Sequence, residues 1–161
     1  MSFDIRPFAP GDLPRLHAIR EAAFAPVFAS FRSITGDVAS AAFPNAEREQ
    51  AQHLDDLCGE ANPATVLVVI QGGKIIGFVA YTIDTETGLG EIGLNAVHPD
   101  HAGQGIGTCL YEMVLERMRQ VGARAATVST GGDPSHAAAR RAYEKVGFGS
   151  PIPAVSFYRA L

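Results

Sequence analysis

The sequence has few cysteines, no surplus of basic residues and no long hydrophobic run. Its two cysteines, Cys58 and Cys109, show neither the spacing of zinc ligands nor a disulfide framework, which favours a reducing compartment. The longest aliphatic run, Val66 to Ile70, is too short to span a bilayer. The first residues lack the basic start and apolar stretch of a signal peptide. We therefore expect a cytoplasmic protein with no membrane partner.

Charge and histidine spacing exclude two further classes of partner. The 13 Lys and Arg residues against 17 Asp and Glu residues give a formal net charge of −4, so no basic excess is available to neutralise nucleic-acid phosphates. His98, His101 and His136 are irregularly spaced, unlike the His-x-x-x-His pattern of a zinc-binding helix. We expect neither nucleic-acid binding nor a metal site.

What the sequence does contain is enough apolar residues for one core, with no internal repeat and no linker. With 161 residues, of which 47% are hydrophobic, the chain is predicted to form a single domain, 1–161. Alternating or continuous apolar runs predict strands at 3–6, 65–71, 74–84, 91–97, 124–130 and 154–159. Apolar residues at helical spacing predict helices at 13–24, 45–60, 105–121 and 135–146, while 25–45 stays ambiguous.

The order of these elements predicts an α/β (α+β type) fold. Gly72-Gly73 supplies a two-residue hairpin turn between two antiparallel strands. Strands 91–97 and 124–130 are joined by one helix and form a plausible parallel β-α-β crossover. We expect one mixed central sheet, mostly antiparallel, with helices on both faces.

The most specific feature is a glycine-rich loop that leaves a strand and enters a helix, from His98 to Thr108. Gly103, Gly105 and Gly107 lack a Cβ, so an anion can approach the main chain, and the N-terminus of a helix attracts phosphate. A flexible turn is the alternative. No lysine precedes Thr108, as a Walker loop requires, and the spacing does not fit a dinucleotide fingerprint. The sequence predicts a phosphate or pyrophosphate cradle built from main-chain donors, without help from a basic surface.

Two blocks around this loop resemble the GNAT superfamily of acetyl-CoA-dependent N-acetyltransferases. Residues 102–107 match the glycines of the family's Arg/Gln-x-x-Gly-x-Gly/Ala motif, with Ala102 in place of the usual Arg or Gln. Residues 137–148 resemble the family's later helix with its Tyr-Glu-Lys-x-Gly-Phe end, and His136 stands where Asn is common. The resemblance covers 64–161 well, as the cofactor-binding core, and 1–60 only in outline, as helices on the acceptor side.

The resemblance implies acetyl-CoA as co-substrate and a sheet that splays near 124–130 to admit it. The main-chain N–H of Asn95 or Ala96 would donate to the thioester carbonyl oxygen. The resemblance places these groups at a β-bulge of strand 91–97, which the sequence pattern alone does not predict. The implied cofactor-binding residues are Asn95, Ala96, Val97, Gly103, Gln104, Gly105, Ile106, Gly107, Thr108 and His136.

The resemblance also implies two catalytic residues. Tyr143 would protonate the departing thiolate; the alternative is a core aromatic packed with Phe148. Glu91 would deprotonate the amine through water, although it can equally be a solvated strand-end carboxylate, with a water chain as the base. Simple alternation would put Glu91, Gly93, Asn95 and Val97 on one face of the strand.

The implied function is acetyl transfer from acetyl-CoA to a primary amine by direct attack in a ternary complex. The alternative is a catalytically inactive CoA-binding or regulatory module of the same fold, which the departures at Ala102 and His136 keep open. The acceptor is a small-molecule amine, an antibiotic or a protein N-terminus. Acidic residues within 37–56 either attract it or form a solvated helix face. A homodimer paired through C-terminal strands is possible.

Overall fold

The computed structural model describes residues 3–161 and contains five strands and five helices over that range. The strands are β1 (Asp4–Pro7), β2 (Thr65–Gln71), β3 (Lys74–Asp84), β4 (Leu89–Val97) and β5 (Ala125–Val128). The helices are α1 (Leu13–Thr35), α2 (Ala39–Ala42), α3 (Ala46–Leu57), α4 (Ile106–Gln120) and α5 (Ala137–Lys145). None of the helices in residues 3–161 combines the length and apolar character that crossing a membrane demands.

The five strands form one mixed sheet in the order β1-β2-β3-β4-β5, which confirms the predicted fold class. All neighbours are antiparallel except β4 and β5, which are parallel and are connected by α4. The β2–β3 hairpin turns at Gly72 and Gly73, with φ of +57° and +75°. Two positive φ values match the right-handed twist of the strands, so the glycines fit the turn without strain.

Two apolar cores lie on opposite faces of the sheet, because successive residues of a strand point to opposite sides. Val79 of β3 packs in the core under α4 and α5, and its neighbour Phe78 packs in the core under α1 and α3. Both residues are fully buried. The sheet is therefore covered by helices on both faces, as predicted.

Gly90 sets how closely α4 approaches the sheet. A Cβ at Gly90 would collide with the side chain of Met118, which is itself buried. The absence of a side chain at Gly90 therefore lets the last turn of α4 lie directly against the start of β4.

Two predicted features differ from the structure. The ambiguous segment after residue 24 continues α1 to Thr35, across Pro26, because Val27 and Phe28 bury their side chains on the same helix. The predicted strand at 154–159 is wrong: residues 149–161 form no helix or strand and are all exposed. A strand needs a partner for its backbone groups, and this segment has none in the described chain.

Candidate active site

The main cleft opens where β4 and β5 diverge. β5 pairs with β4 from Leu89–Ala125 to Ile92–Val128, whereas β4 continues to Val97. Beyond the last pair, residues 93–97 together with Ser129 and Thr130 line a cleft of about 750 Å³. This gap agrees with the predicted splay of the sheet near 124–130, and it exposes one edge of β4 to whatever the cleft binds.

A β-bulge in β4 decides which face each of its side chains occupies. Val79 of β3 lies opposite Asn95, but Tyr81, two residues on, lies opposite Ile92. Three steps on β4 against two on β3 mean that β4 carries one extra residue here. The side chain of Asn95 therefore lies on the same face of the sheet as that of Val79, which is the face covered by α4 and α5.

Glu91 points to the other face. It lies opposite Thr82, whose neighbour Tyr81 belongs to the core under α4 and α5, so Glu91 faces α1 and α3. The prediction that Glu91 shares a face with Asn95 and Val97 is wrong, because the bulge shifts the alternation between them. The side chains of Glu91 and Asn95 therefore reach the cleft from opposite faces of the sheet.

The glycine loop has the geometry of an anion cradle. Gly103 and Gly105 have φ of +76° and +77°, a region that favours glycine, and Gly105 caps the N-terminus of α4. The first hydrogen bond of α4 runs from the main-chain N–H of Cys109 to the carbonyl oxygen of Gly105, at 3.0 Å. The amides of residues 106–108 therefore have no partner within the helix.

The cradle is open. A Cβ built at Gly103 or Gly105 would meet no other atom within 4 Å, so both residues border free space. Glycine is favoured at these two positions because of their positive φ. Free amides and the positive end of the α4 dipole suit the pyrophosphate of acetyl-CoA. The residues present therefore fit the co-substrate that the resemblance implies.

Both predicted catalytic residues, Tyr143 and Glu91, line the cleft, and so do most of the predicted cofactor-binding residues. Those that line it are Asn95, Ala96, Val97, Gly103, Gly105, Ile106, Gly107, Thr108 and His136. Gln104 is the exception, with an exposed side chain outside the lining.

Tyr143 has a buried ring and lines the cleft. Its ring is buried at the end of α5, 4.8 Å from the ring of Tyr111 and 6.1 Å from that of Phe148 between centroids. Its hydroxyl oxygen accepts a hydrogen bond from Nδ2 of Asn95 at 3.2 Å. The ring is thus a core aromatic, while the hydroxyl is held at the wall of the cleft.

Both N–H groups and the oxygen of the Asn95 amide are hydrogen-bonded. Nδ2 also donates to the Gly93 carbonyl at 2.9 Å, and Oδ1 accepts from the Tyr111 hydroxyl at 2.7 Å. These three bonds fix which way the amide points, so Tyr143 meets an N–H and not a carbonyl. Tyr143 acts as acceptor in this network, which leaves its own hydrogen free for another acceptor.

Tyr111 was missed by the sequence analysis. Burial, together with the neighbouring Tyr143, raises the pKa of Tyr111 above its ordinary value, so it remains a hydrogen-bond donor to Asn95. The available signal was its position one helical turn after Gly107, on the same face of α4. Its partners lie 16 and 32 positions away in sequence, which no local pattern reveals.

The side of the cleft under α1 and α3 is less organised. Glu91 is exposed and lines both the main cleft and a smaller cavity of about 170 Å³ beside it. His53 of α3 is likewise exposed and lines both spaces. Neither side chain is hydrogen-bonded to another described residue. This side therefore offers a carboxylate and an imidazole that are free to meet a ligand.

His136 is held by a carboxylate. Its Nδ1 lies 2.5 Å from Oδ1 of Asp133, and its ring stacks on Phe31 of α1 at 5.9 Å. Asp133 also accepts from Ser135 and, at 2.7 Å, from Ser30 of α1. Burial raises the pKa of Asp133, but these hydrogen bonds outweigh it and hold the pKa below its ordinary value. The cluster ties α1 to the start of α5.

Two basic residues that the sequence analysis did not assign also line the cleft. Arg141 and Lys145 lie one turn apart on α5. Main-chain donors are therefore not the only positive groups available to an anion, in contrast to the expectation from the overall charge. No three His, Cys, Asp or Glu side chains in residues 3–161 are grouped to hold a metal ion.

Comparison with known proteins agrees with this geometry. The chain is 36% identical over 106 residues to a protein from Azospirillum brasilense named IAA acetyltransferase, spanning 65% of this chain and 67% of that protein.

Two solved structures are similar in fold. One is the ribosomal-protein-S18-alanine N-acetyltransferase from Escherichia coli (TM-score 0.67, 22% identity, 94% of this chain and 80% of that chain). The other is a GNAT family acetyltransferase from Brucella melitensis in complex with acetyl-CoA (TM-score 0.62, 22% identity, 99% of this chain and 97% of that chain). At this identity the likeness shows the fold.

The family itself is shown by the sequence. Residues 30–148, which include the bulged strand, the glycine loop and Tyr143, match the family model described as the acetyltransferase (GNAT) family. With its mixed sheet, its open cradle at the start of α4 and this match over most of its length, the chain belongs to the GNAT family of acetyltransferases.

Proposed function

We propose that this acetyltransferase transfers the acetyl group of acetyl-CoA to a primary amine by direct attack in a ternary complex. The observation that carries the proposal is the Tyr143 hydroxyl, held at the cleft wall by the Asn95 amide at 3.2 Å. The acetyl-CoA bound in the similar Brucella structure supports the donor. The alanine acceptor named for the similar E. coli enzyme supports an amine.

The cradle end of the cleft would bind the donor's pyrophosphate. The unpartnered amides of residues 106–108 and the α4 dipole would hold it. Arg141 and Lys145 would add positive charge along the same wall. Ala102 supplies no side-chain donor where the family often has Arg or Gln, so these groups would carry the binding.

At the other end, the amine nitrogen forms a bond to the acetyl carbon and the carbon–sulfur bond breaks. A free alkylamine has a pKa of about 10, so a base must first remove its proton. We assign this step to Glu91, acting through water. The main-chain N–H of Asn95 or Ala96, on the strand edge that β5 leaves free, would donate to the carbonyl oxygen as charge develops there.

Tyr143 would then protonate the departing thiolate. Because Asn95 donates to the Tyr143 oxygen, the phenol hydrogen is directed away from the amide and is available to the sulfur. Tyr111 holds the Asn95 amide in the orientation that makes this possible. As the carbon–sulfur bond breaks, the nitrogen would lose its second proton to water, and solvent would return a proton to Tyr143 after product release.

The second candidate is a catalytically inactive CoA-binding or regulatory module. Ala102 and His136, whose Nδ1 is already engaged by Asp133, favour it. Thiol release from acetyl-CoA in the presence of a panel of primary amines separates the two. The proposal expects release that depends on the amine, and a matching mass increase of one acetyl group on the amine. If CoA raises the Tm while no amine increases release above background, the inactive module is the correct function.

We also propose that the chain forms a homodimer through its C-terminal segment. β5 is an edge strand of the described sheet, and Ile152, Val155 and Phe157 are 95%, 79% and 91% exposed. An unpaired sheet edge is a template for strand addition, and an exposed apolar segment can supply the added strand. Light scattering of the full chain should give twice the monomer mass, and deletion of residues 149–161 should give the monomer. A monomeric full chain would contradict the proposal.

A further inference from the structure

We infer that the acceptor is a small primary amine with one positive charge and an apolar body, and not a polycation. This inference rests on the proposed N-acetyl transfer and adds the class of acceptor. It comes from the part of the cleft under α1 and α3, where Glu91 offers its carboxylate. The lining there is formed by Ala23, Phe24, Val27, Gln50, His53 and Glu91.

The charge of the cleft favours a single positive charge on the acceptor. Among the described residues that line it, Glu91 is the one acid, while Arg141 and Lys145 are cationic. One ammonium group can pair with Glu91. Each further ammonium group would lose its hydration without a second carboxylate in the lining to meet it, because the two cations on α5 are assigned to the pyrophosphate.

The acidic residues of the first 60 positions do not change this balance. Glu47 is paired with Arg32, and Oδ1 of Asp55 is 2.8 Å from Nε2 of His17. Neither carboxylate lines the cleft. None of the acidic residues within 37–56 lines the cleft, so the structure shows no contact by which they would attract a cationic amine, and two of them instead link α1 to α3.

The apolar part of the lining favours an apolar body. Phe24 and Ala23 pack against the core that contains Ala96 of β4, and Val27 is 8% exposed. These side chains are anchored from behind, so they present a fixed apolar wall next to Glu91. A hydrocarbon or aromatic group that binds there is removed from water without displacing a polar group of the protein.

Gln50 adds a neutral amide to this wall, and its oxygen is already hydrogen-bonded. Its side-chain oxygen accepts from the buried Arg20 at 3.2 Å, so the amide is turned towards α1. The cationic Arg20 itself is 7% exposed and is not part of the lining. The acceptor subsite therefore has one anion, one imidazole and an apolar wall.

The first test compares acceptors directly. Initial rates with saturating acetyl-CoA are measured for phenethylamine, for kanamycin as a polycation and for a hexapeptide with a free N-terminal alanine. We expect kcat/KM for phenethylamine to exceed that for kanamycin by about tenfold or more. A kcat/KM that is highest for kanamycin, or for the peptide, overturns the inference while leaving N-acetyl transfer intact. No acetylation of any amine instead removes the proposed function.

The second test changes the charge of the subsite. His53→Glu adds a carboxylate at an exposed position beside Glu91, and His53→Gln is the neutral control. The acceptors are 1-aminobutane and 1,4-diaminobutane, which differ in charge and little in size. We expect His53→Glu to raise the diamine-to-monoamine ratio of kcat/KM about threefold, with His53→Gln leaving the ratio unchanged. An equal ratio in both variants would mean that the acceptor does not bind beside His53, and the inference would fail.

Discussion

The two sides of the cleft are built differently. On the side of α4 and α5, the Tyr111 hydroxyl, the Asn95 amide and the Tyr143 hydroxyl form a continuous chain of hydrogen bonds. On the side of α1 and α3, Glu91 and His53 are exposed and have no hydrogen-bonding partner among the described residues. The first side is organised before any substrate binds, and the second leaves its polar groups for the substrate to engage.

This difference separates two kinds of catalytic contribution. A group that is already oriented costs no reorganisation when charge develops next to it. An exposed group competes with water, and water can replace it in part. Substitution of an organised-side group that would contact the donor should therefore affect the chemical step or donor binding strongly. Substitution of an open-side group, or of an organised-side residue that acts only through another, should have a smaller effect.

The largest effect is expected at the cradle. Gly105→Val places a β-branched side chain at φ of +77° and in the open space before α4. Losing hydrogen bonds to an anionic ligand should weaken CoA binding about a hundredfold, measured by calorimetry. Gly122→Val is the control, because it introduces the same kind of strain just beyond the opposite end of α4, at φ of +87°. Equal CoA affinity in both variants would remove the cradle from donor binding.

On the open side, Glu91→Gln should lower kcat about tenfold at neutral pH. This is less than the hundredfold or more typical of a positioned base, because water reaches the exposed carboxylate. The deficit should shrink as the pH rises towards about 10, where the amine loses its proton without help. A deficit that is constant across the pH profile would argue against a role in deprotonation.

On the organised side, Tyr111→Phe removes the donor to Oδ1 of Asn95 and lets the amide turn. Loss of one buried hydrogen bond corresponds to about a fivefold decrease in kcat, with the KM for acetyl-CoA unchanged. Tyr81→Phe is a matched control, since Tyr81 is equally enclosed in the same core. If the two variants lose activity equally, Tyr111 supports the fold and does not position Tyr143.

The smallest effect on catalysis is expected at Asp133, which links α1 to α5. Asp133→Asn should lower the free energy of unfolding by about 1 kcal/mol near neutral pH, because it weakens the hydrogen bonds from Ser30 and Ser135. The pKa of Asp133 is lowered in the folded chain. Its contribution is therefore complete above its ordinary pKa of 3.8 and is lost as the pH falls towards the lowered value. Urea unfolding of both proteins at pH 7 and pH 3 measures this; a difference that grows at pH 3 would contradict the assignment.

The same contrast explains how much the sequence could predict. The β2–β3 hairpin and the glycine loop before α4 are local, and their glycines carry the required positive φ, so the hairpin and the start of α4 were predicted with nearly correct boundaries. The face of Glu91 was predicted wrongly, because a bulge depends on pairing with β3. Tyr111 was missed because residues far away in sequence define its role. The segment 154–159, which was expected to be a strand, contains apolar residues but has no partner strand in the described chain.

The most direct test of the account is the turnover of Tyr143→Phe. The variant keeps the ring that packs against Tyr111 and Phe148 and removes only the hydroxyl that Asn95 holds. We expect kcat for acetyl transfer to fall about a hundredfold, as for loss of a general acid, with the Kd for CoA and the Tm close to those of the unmodified protein. An unchanged kcat with the best amine would contradict the assignment of Tyr143 as the group that protonates the leaving thiolate.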